Sequence, residues 1–107
     1  MEIIETSVFT RQIKELIPDE EYGELQFSLV QTPDLGDIIP RSGGIRKIRW
    51  SGSGRGKRGG IRVIYYWRVS EQQIFMLLAY AKNEQDNLSS AQLKVLRKRV
   101  EEEFGSG

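Results

Sequence analysis

The sequence predicts a small α+β domain: a mostly antiparallel sheet, preceded by a helical hairpin and followed by one more helix. Three observations lead there. Apolar residues recur at helical spacing in residues 8–31 and again after residue 89. Between them lie three strand-like stretches, two alternating basic with apolar residues and one apolar throughout. Short connections join the three, which implies antiparallel pairing with the helices packed on one face.

Ile3 and Ile4 open the chain as a short first strand. Ser7 then caps a helix carrying Phe9, Ile13, Leu16 and Ile17 on one face, the i, i+4, i+7, i+8 spacing of an amphipathic helix. Pro18 interrupts it. Asp19, Glu20 and Glu21 suit the positive end of a second helix, whose apolar stripe is Tyr22, Leu25, Leu29 and Phe27. Thr32-Pro33 ends that helix, since a residue before proline avoids the helical region. A loop through Leu35-Gly36-Asp37 and Ser42-Gly43-Gly44 leads to the strand Ile45-Arg46-Lys47-Ile48-Arg49-Trp50. Ser51 to Gly60 holds five glycines and no apolar residue, so it reads as a flexible connection. Residues 61–68 form the next strand, with a polar turn near Ser70-Glu71. Residues 74–81 are apolar at every position, the mark of a central strand covered on both faces. Ser89-Ser90-Ala91-Gln92 has the capping-box pattern, flanked by Leu88 and Leu93. The final helix carries Leu93, Leu96, Val100 and Phe104. One domain is expected over residues 1–104, with Gly105-Ser106-Gly107 read as an appended tail.

Charge is segregated along the chain. Residues 41–68 hold nine Lys or Arg and no acid, whereas the 40 residues before them hold two bases and nine acids. The formal net charge of +1 therefore conceals a strongly basic segment beside an acidic one. Lysines at a sheet edge guard against aggregation, but that accounts for one or two charges per strand, not for nine. A basic face of this density suggests a polyanion, most simply a nucleic-acid backbone. On the first basic strand Lys47 and Arg49 share one face, and Arg46, Ile48 and Trp50 the other. On the second, Arg62, Ile64 and Tyr66 share a face.

Other chemistries are disfavoured. The chain has neither cysteine nor histidine, which argues against a zinc or copper site and against thiolate chemistry. No cofactor is expected. Gly54-x-Gly56-x-x-Gly59 matches the dinucleotide fingerprint in letters only, because a strand follows it where a helix is required. Arg55, Lys57 and Arg58 within it read as a flexible phosphate clamp. No run approaches 18 apolar residues and the start lacks the basic segment of a signal peptide, so no membrane is expected and a cytoplasmic location follows by default.

Six blocks of sequence carry a family resemblance: Asp19-Glu20-Glu21-Tyr22, Leu35-Gly36-Asp37, Gly43 to Arg49, Gly56 to Gly60, Arg62 to Tyr66 and Ala81-Lys82-Asn83-Glu84. In this order they resemble the RelE-like toxins of type II toxin–antitoxin systems, most closely the HigB branch, over Met1 to Phe104. The family fold is a small α+β domain, in agreement with the element order. The resemblance implies ribosome-dependent, metal-independent cleavage of mRNA, inhibition of translation and a cognate helix-turn-helix antitoxin of the HigA type.

Metal-free RNA cleavage uses the 2′-OH as nucleophile. The protein must assist its deprotonation, stabilise a dianionic phosphorane and protonate the leaving oxygen. The resemblance assigns this work to Lys47, Arg49 and Arg62, with Lys82 and Asn83 at the end of the last strand. Arg62 would be the main phosphorane clamp, since its planar fork can hold two oxygens. Lys47, surrounded by bases, is expected to have a lowered pKa and to be the general base. Arg46, Arg55, Lys57, Arg58 and Tyr80 are the RNA-binding candidates. Where relatives carry a late basic residue and a tyrosine, this chain has Asn83 and Ser89, which leaves that work to Tyr80 or Lys82. Two alternatives stay open: a gyrase-poisoning toxin of the same fold, as in the ParE branch, and a non-catalytic RNA-binding module.

Overall fold

The computed structural model describes residues 1–51 and 60–104, with Phe104 described by its backbone alone. Its elements are β1 (Glu2–Glu5), α1 (Ser7–Leu16), α2 (Asp19–Gln31), β2 (Asp37–Ile38), β3 (Ile45–Trp50), β4 (Ile61–Arg68), β5 (Gln73–Ala81) and α3 (Ser90–Phe104). A 3-10 turn, Val69–Glu71, joins β4 to β5. The strands form a sheet in the order β1-β5-β4-β3-β2. Only β1 runs parallel to its neighbour, β5; the other pairings are antiparallel. No helix among the described residues is long and apolar enough to cross a membrane.

The α+β architecture and mostly antiparallel sheet are as the sequence predicts, and β5 is the doubly covered central strand. The helices, however, do not share a face. The α1–α2 hairpin packs on one side through Phe9, Ile13, Leu25 and Leu29, against Ile48, Val63, Tyr65, Ile74 and Met76. On the other side Val100 and Leu96 of α3 pack with Ile45, Ile64, Tyr66 and Leu77. The reason is supply: β4 and β5 are apolar on both faces, so each face needs a cover, as a two-sided strand requires.

Three local expectations also change. Thr6, not Ser7, caps α1, its Oγ1 accepting from the Phe9 N–H at 3.0 Å. Thr6 wins because the same hydroxyl donates to the Leu77 carbonyl at 3.0 Å, tying the helix start to β5. Residues 37 and 38, expected in a loop, form β2 by pairing with Lys47 and Arg46. Phe27 is 65% exposed and leaves the stripe of α2 to Tyr22, Leu25 and Leu29. At α3 the capping box forms: Ser89 Oγ accepts from the Gln92 N–H at 3.1 Å, and Gln92 Oε1 accepts from the Ser89 N–H at 2.9 Å.

A β-bulge in β5 decides what faces what. Ile64 pairs with Leu78 but the next residue, Tyr65, pairs with Met76, so Leu77 is an extra residue. Strict alternation from Ile74 would put residue 80 on the α1–α2 side. The extra residue moves Tyr80 to the α3 side, among Ile45, Ile64 and Leu77. β1 stops at Glu5, and beyond it the exposed edge of β5 is met by side chains: Ala79 N–H donates to Gln12 Oε1 at 2.9 Å, beside the Thr6 contact.

Candidate functional site

β3 and β4 are in register so that Arg49 lies opposite Arg62, and Arg62 opposite Tyr80 of β5. The three make a row across the sheet. Lys47, opposite Ile64, stands two residues along on the same face. This is the face on which α3 packs, and the core on that side takes in Ile45, Ile64, Tyr66, Leu77 and Tyr80 itself.

The row is graded in depth. Arg62 is 4% exposed, Tyr80 is 8% exposed, Lys47 is half-buried and Arg49 is exposed. Arg62 thus departs from the displayed position expected of it. Two guanidinium groups opposite one another on neighbouring strands repel, which costs about 0.2–1 kcal/mol, and burial adds to that. Compensation comes from acceptors: Arg62 Nη2 lies 3.6 Å from Asp86 Oδ1, and its Nη1 donates to the Ile61 carbonyl at 3.4 Å.

The segment between β5 and α3 closes over this row. Lys47 Nζ donates to Asn87 Oδ1 at 2.6 Å, and the Tyr80 hydroxyl donates to the Asp86 carbonyl at 3.4 Å. Burial raises the Tyr80 phenol above its ordinary value; the Arg62 guanidinium opposes the rise and the Asp86 carboxylate adds to it. The hydroxyl therefore keeps its proton at neutral pH and is available as a donor. Asp86 and Asn87 were not anticipated from sequence. The available signal was two polar residues in the connection that follows the strand paired with β4, which does not say which strand they fold back upon.

The remaining candidates lie elsewhere. Arg46 points to the other side of β3, where its Nη1 donates to the Gly36 carbonyl at 2.7 Å, fixing the segment before β2. That segment is held again by Tyr65, whose hydroxyl accepts from Gly36 N–H at 2.8 Å and donates to the Pro33 carbonyl at 2.7 Å. Gly36 has to be glycine, because a Cβ there would sit 2.8 Å from the Lys47 carbonyl oxygen. Lys82 and Asn83 are exposed in the turn after β5, and Asn83 lines a separate cavity of about 240 Å³ with Glu15, Trp50 and Gly60. Arg55, Lys57, Arg58 and the glycine pattern around them lie outside the described residues. Lys94, Arg97, Lys98 and Arg99 form the expected solvated face of α3. Among the described residues, no three His, Cys, Asp or Glu side chains are grouped to hold a metal ion.

The site is thus a recessed arginine flanked by an exposed arginine, a lysine and a protonated tyrosine, all on rigid strands. It can bind a phosphate and stabilise added negative charge on it. In a comparison with known families, the family model described as "RelE toxin of RelE / RelB toxin-antitoxin system" matches residues 1–105.

Proposed function

The chain belongs to the RelE toxin family, and on that footing we propose that it is a ribosome-dependent mRNA endoribonuclease of the HigB-like branch. Membership makes it the toxin of a toxin–antitoxin pair, in a family whose toxins are generally translation-inhibiting ribonucleases. The finer reading adds a HigA-like helix-turn-helix antitoxin, a cytoplasmic site of action on ribosomes and a single domain over residues 1–104.

The observation that carries this reading is the row Arg49, Arg62 and Tyr80 with Lys47 beside it. In the reaction the 2′-oxygen attacks the adjacent phosphorus as its proton passes to Lys47, which reacts as the free amine. Arg62 and Arg49 hold the non-bridging oxygens of the phosphorane. The bond to the 5′-oxygen breaks, Tyr80 supplies that oxygen with a proton, and a 2′,3′-cyclic phosphate remains. With neither histidine nor cysteine in the chain, charge stabilisation falls to the guanidinium groups. Lys82, Asn83 and the basic residues Arg55, Lys57 and Arg58 are assigned to the flanking RNA. Arg46 acts at one remove, by fixing the segment against which β3 lies.

The test is a translation assay with primer-extension mapping of the mRNA. Cuts in mRNA on ribosomes, with naked RNA nearly intact at the same protein concentration, are the expected result. Loss of supercoiling without cuts would identify a gyrase poison instead, and neither effect would leave a non-catalytic RNA-binding module.

A further inference from the structure

The connection between β5 and α3 contributes two acceptors in consecutive positions. The Asp86 carboxylate lies 3.6 Å from Arg62 Nη2, and the Asn87 amide oxygen accepts from Lys47 Nζ at 2.6 Å. These are the two side chains to which the proposed function gives the phosphate and the 2′-OH. A carboxylate and an amide oxygen offer the same acceptor chemistry as phosphate oxygens. We infer that Asp86 and Asn87 are an internal stand-in for the RNA backbone and determine the selectivity of the site. The inference rests on the reading of this face as an RNA-backbone site.

The contacts are of a kind that substrate can replace. The Asp86 side chain is 64% exposed, so its ion pair is screened and worth a factor of about five or less. Within residues 82–89 the single large apolar side chain is Leu88, which packs at the edge of the α3-side core. The rest of the hold is polar: Gln85 Nε2 donates to the Asn87 carbonyl at 2.9 Å and to Gln92 Oε1 at 2.6 Å, and Tyr80 reaches the Asp86 carbonyl. A ligand that must first displace Asp86 and Asn87 binds more weakly by the fraction of time the site is open. Free RNA in passing encounter bears that whole penalty. RNA already held beside the site presents its phosphate at high effective concentration and overcomes it. Asp86 and Asn87 therefore set which RNA is cut, beyond the residues that do the cutting.

The experiment measures binding apart from chemistry. The probe is a short RNA with 2′-O-methyl at every ribose, which lacks the nucleophile and cannot be cut. Asp86→Asn, close to isosteric, is expected to bind it about threefold to fivefold tighter than the parent protein, and Asn87→Ala about twofold tighter. Glu84→Gln removes an acid two residues away and reports the effect of net charge alone; it should give a clearly smaller gain. In an Arg62→Ala background the gain from Asp86→Asn should fall to that of Glu84→Gln, as a pairwise coupling requires. Equal or weaker binding by Asp86→Asn, a gain matched by Glu84→Gln, or a gain that stays undiminished without Arg62 would each overturn the inference. Mapping cuts on ribosomes with the same proteins separates it from the proposed function. Cuts without the affinity gain refute the stand-in alone; the gain without cuts refutes the nuclease alone.

Discussion

Arg62 concentrates the chemistry of the site in one side chain. Its strand position, 4% exposure and contacts with Asp86 and Ile61 hold the guanidinium in place before any substrate arrives. A donor fixed in advance contributes most where charge develops, so Arg62→Ala should slow single-turnover cleavage by about a hundredfold or more. Ribosome affinity should change far less, because one buried charge is a small part of a nine-charge segment. Normal cutting by the bound variant would show that the guanidinium is structural. Tyr80 beside it keeps its proton for the opposite reason to an activated nucleophile: burial disfavours the phenolate. Tyr65 is also buried, but its hydroxyl is committed to Gly36 and Pro33, which makes it part of the scaffold.

Among the elements, α3 links stability to the site. Its capping box joins Ser89 and Gln92, and Gln92 also accepts from Gln85 in the connection that carries Asp86 and Asn87. Ser89→Ala removes one cap bond and should lower stability by about 1 kcal/mol, the usual cost of a lost N-cap. Urea denaturation measures this, and an unchanged midpoint would mean that the cap is redundant. From its middle α3 is tied to the turn before β3, where Arg97 Nη1 donates to the Arg41 carbonyl at 3.1 Å. The β3–β4 connection has its own constraint at Gly60. Its φ of +61° is a left-handed conformation, and a Cβ there would fall 2.2 Å from the Trp50 carbonyl oxygen.

For the whole molecule, two properties follow from where charge and phenols lie. The basic segment confers a general affinity for RNA that depends on salt. Arg55→Ala, Lys57→Ala and Arg58→Ala should each weaken ribosome binding by a small, similar step and flatten the log–log salt dependence by about one unit or less. A variant that loses cutting rate at unchanged affinity would move that residue from binding to catalysis. Stability should fall at alkaline pH. Tyr22, Tyr65 and Tyr80 are raised above the ordinary value of 10, all chiefly by burial, with the Glu5 carboxylate adding to the rise at Tyr22. A raised phenol means that the folded state holds the proton more tightly than the unfolded chain. That contribution is complete below pH 10 and is lost as pH rises through the folded values. The melting temperature should therefore decline above about pH 10, and less steeply in Tyr22→Phe. Equal slopes for the two proteins would refute the assignment.

The sequence by itself determined most of the elements, the charge segregation and the family. Helical and strand periodicities, the Ser89–Gln92 box and the run of basic residues are each written within a few neighbouring positions, where local sterics and patterning act. Lys47, Arg49 and Arg62 were named together through the family resemblance; alternation showed only that Lys47 and Arg49 share a face, and the register that sets Arg49 opposite Arg62 joins the two strands. What the tertiary structure decided depends on contacts between distant residues. Alternation read along β5 puts Tyr80 with Ile74, and only the extra residue at Leu77, matched against β4, turns it to Arg62. The depth of Arg62 depends on its cross-strand neighbours and on Asp86. The pairing of Lys47 with Asn87 spans 40 residues. Helices on both faces follow from the same cause, since packing answers to the apolar supply of the assembled sheet and no single segment records that sum.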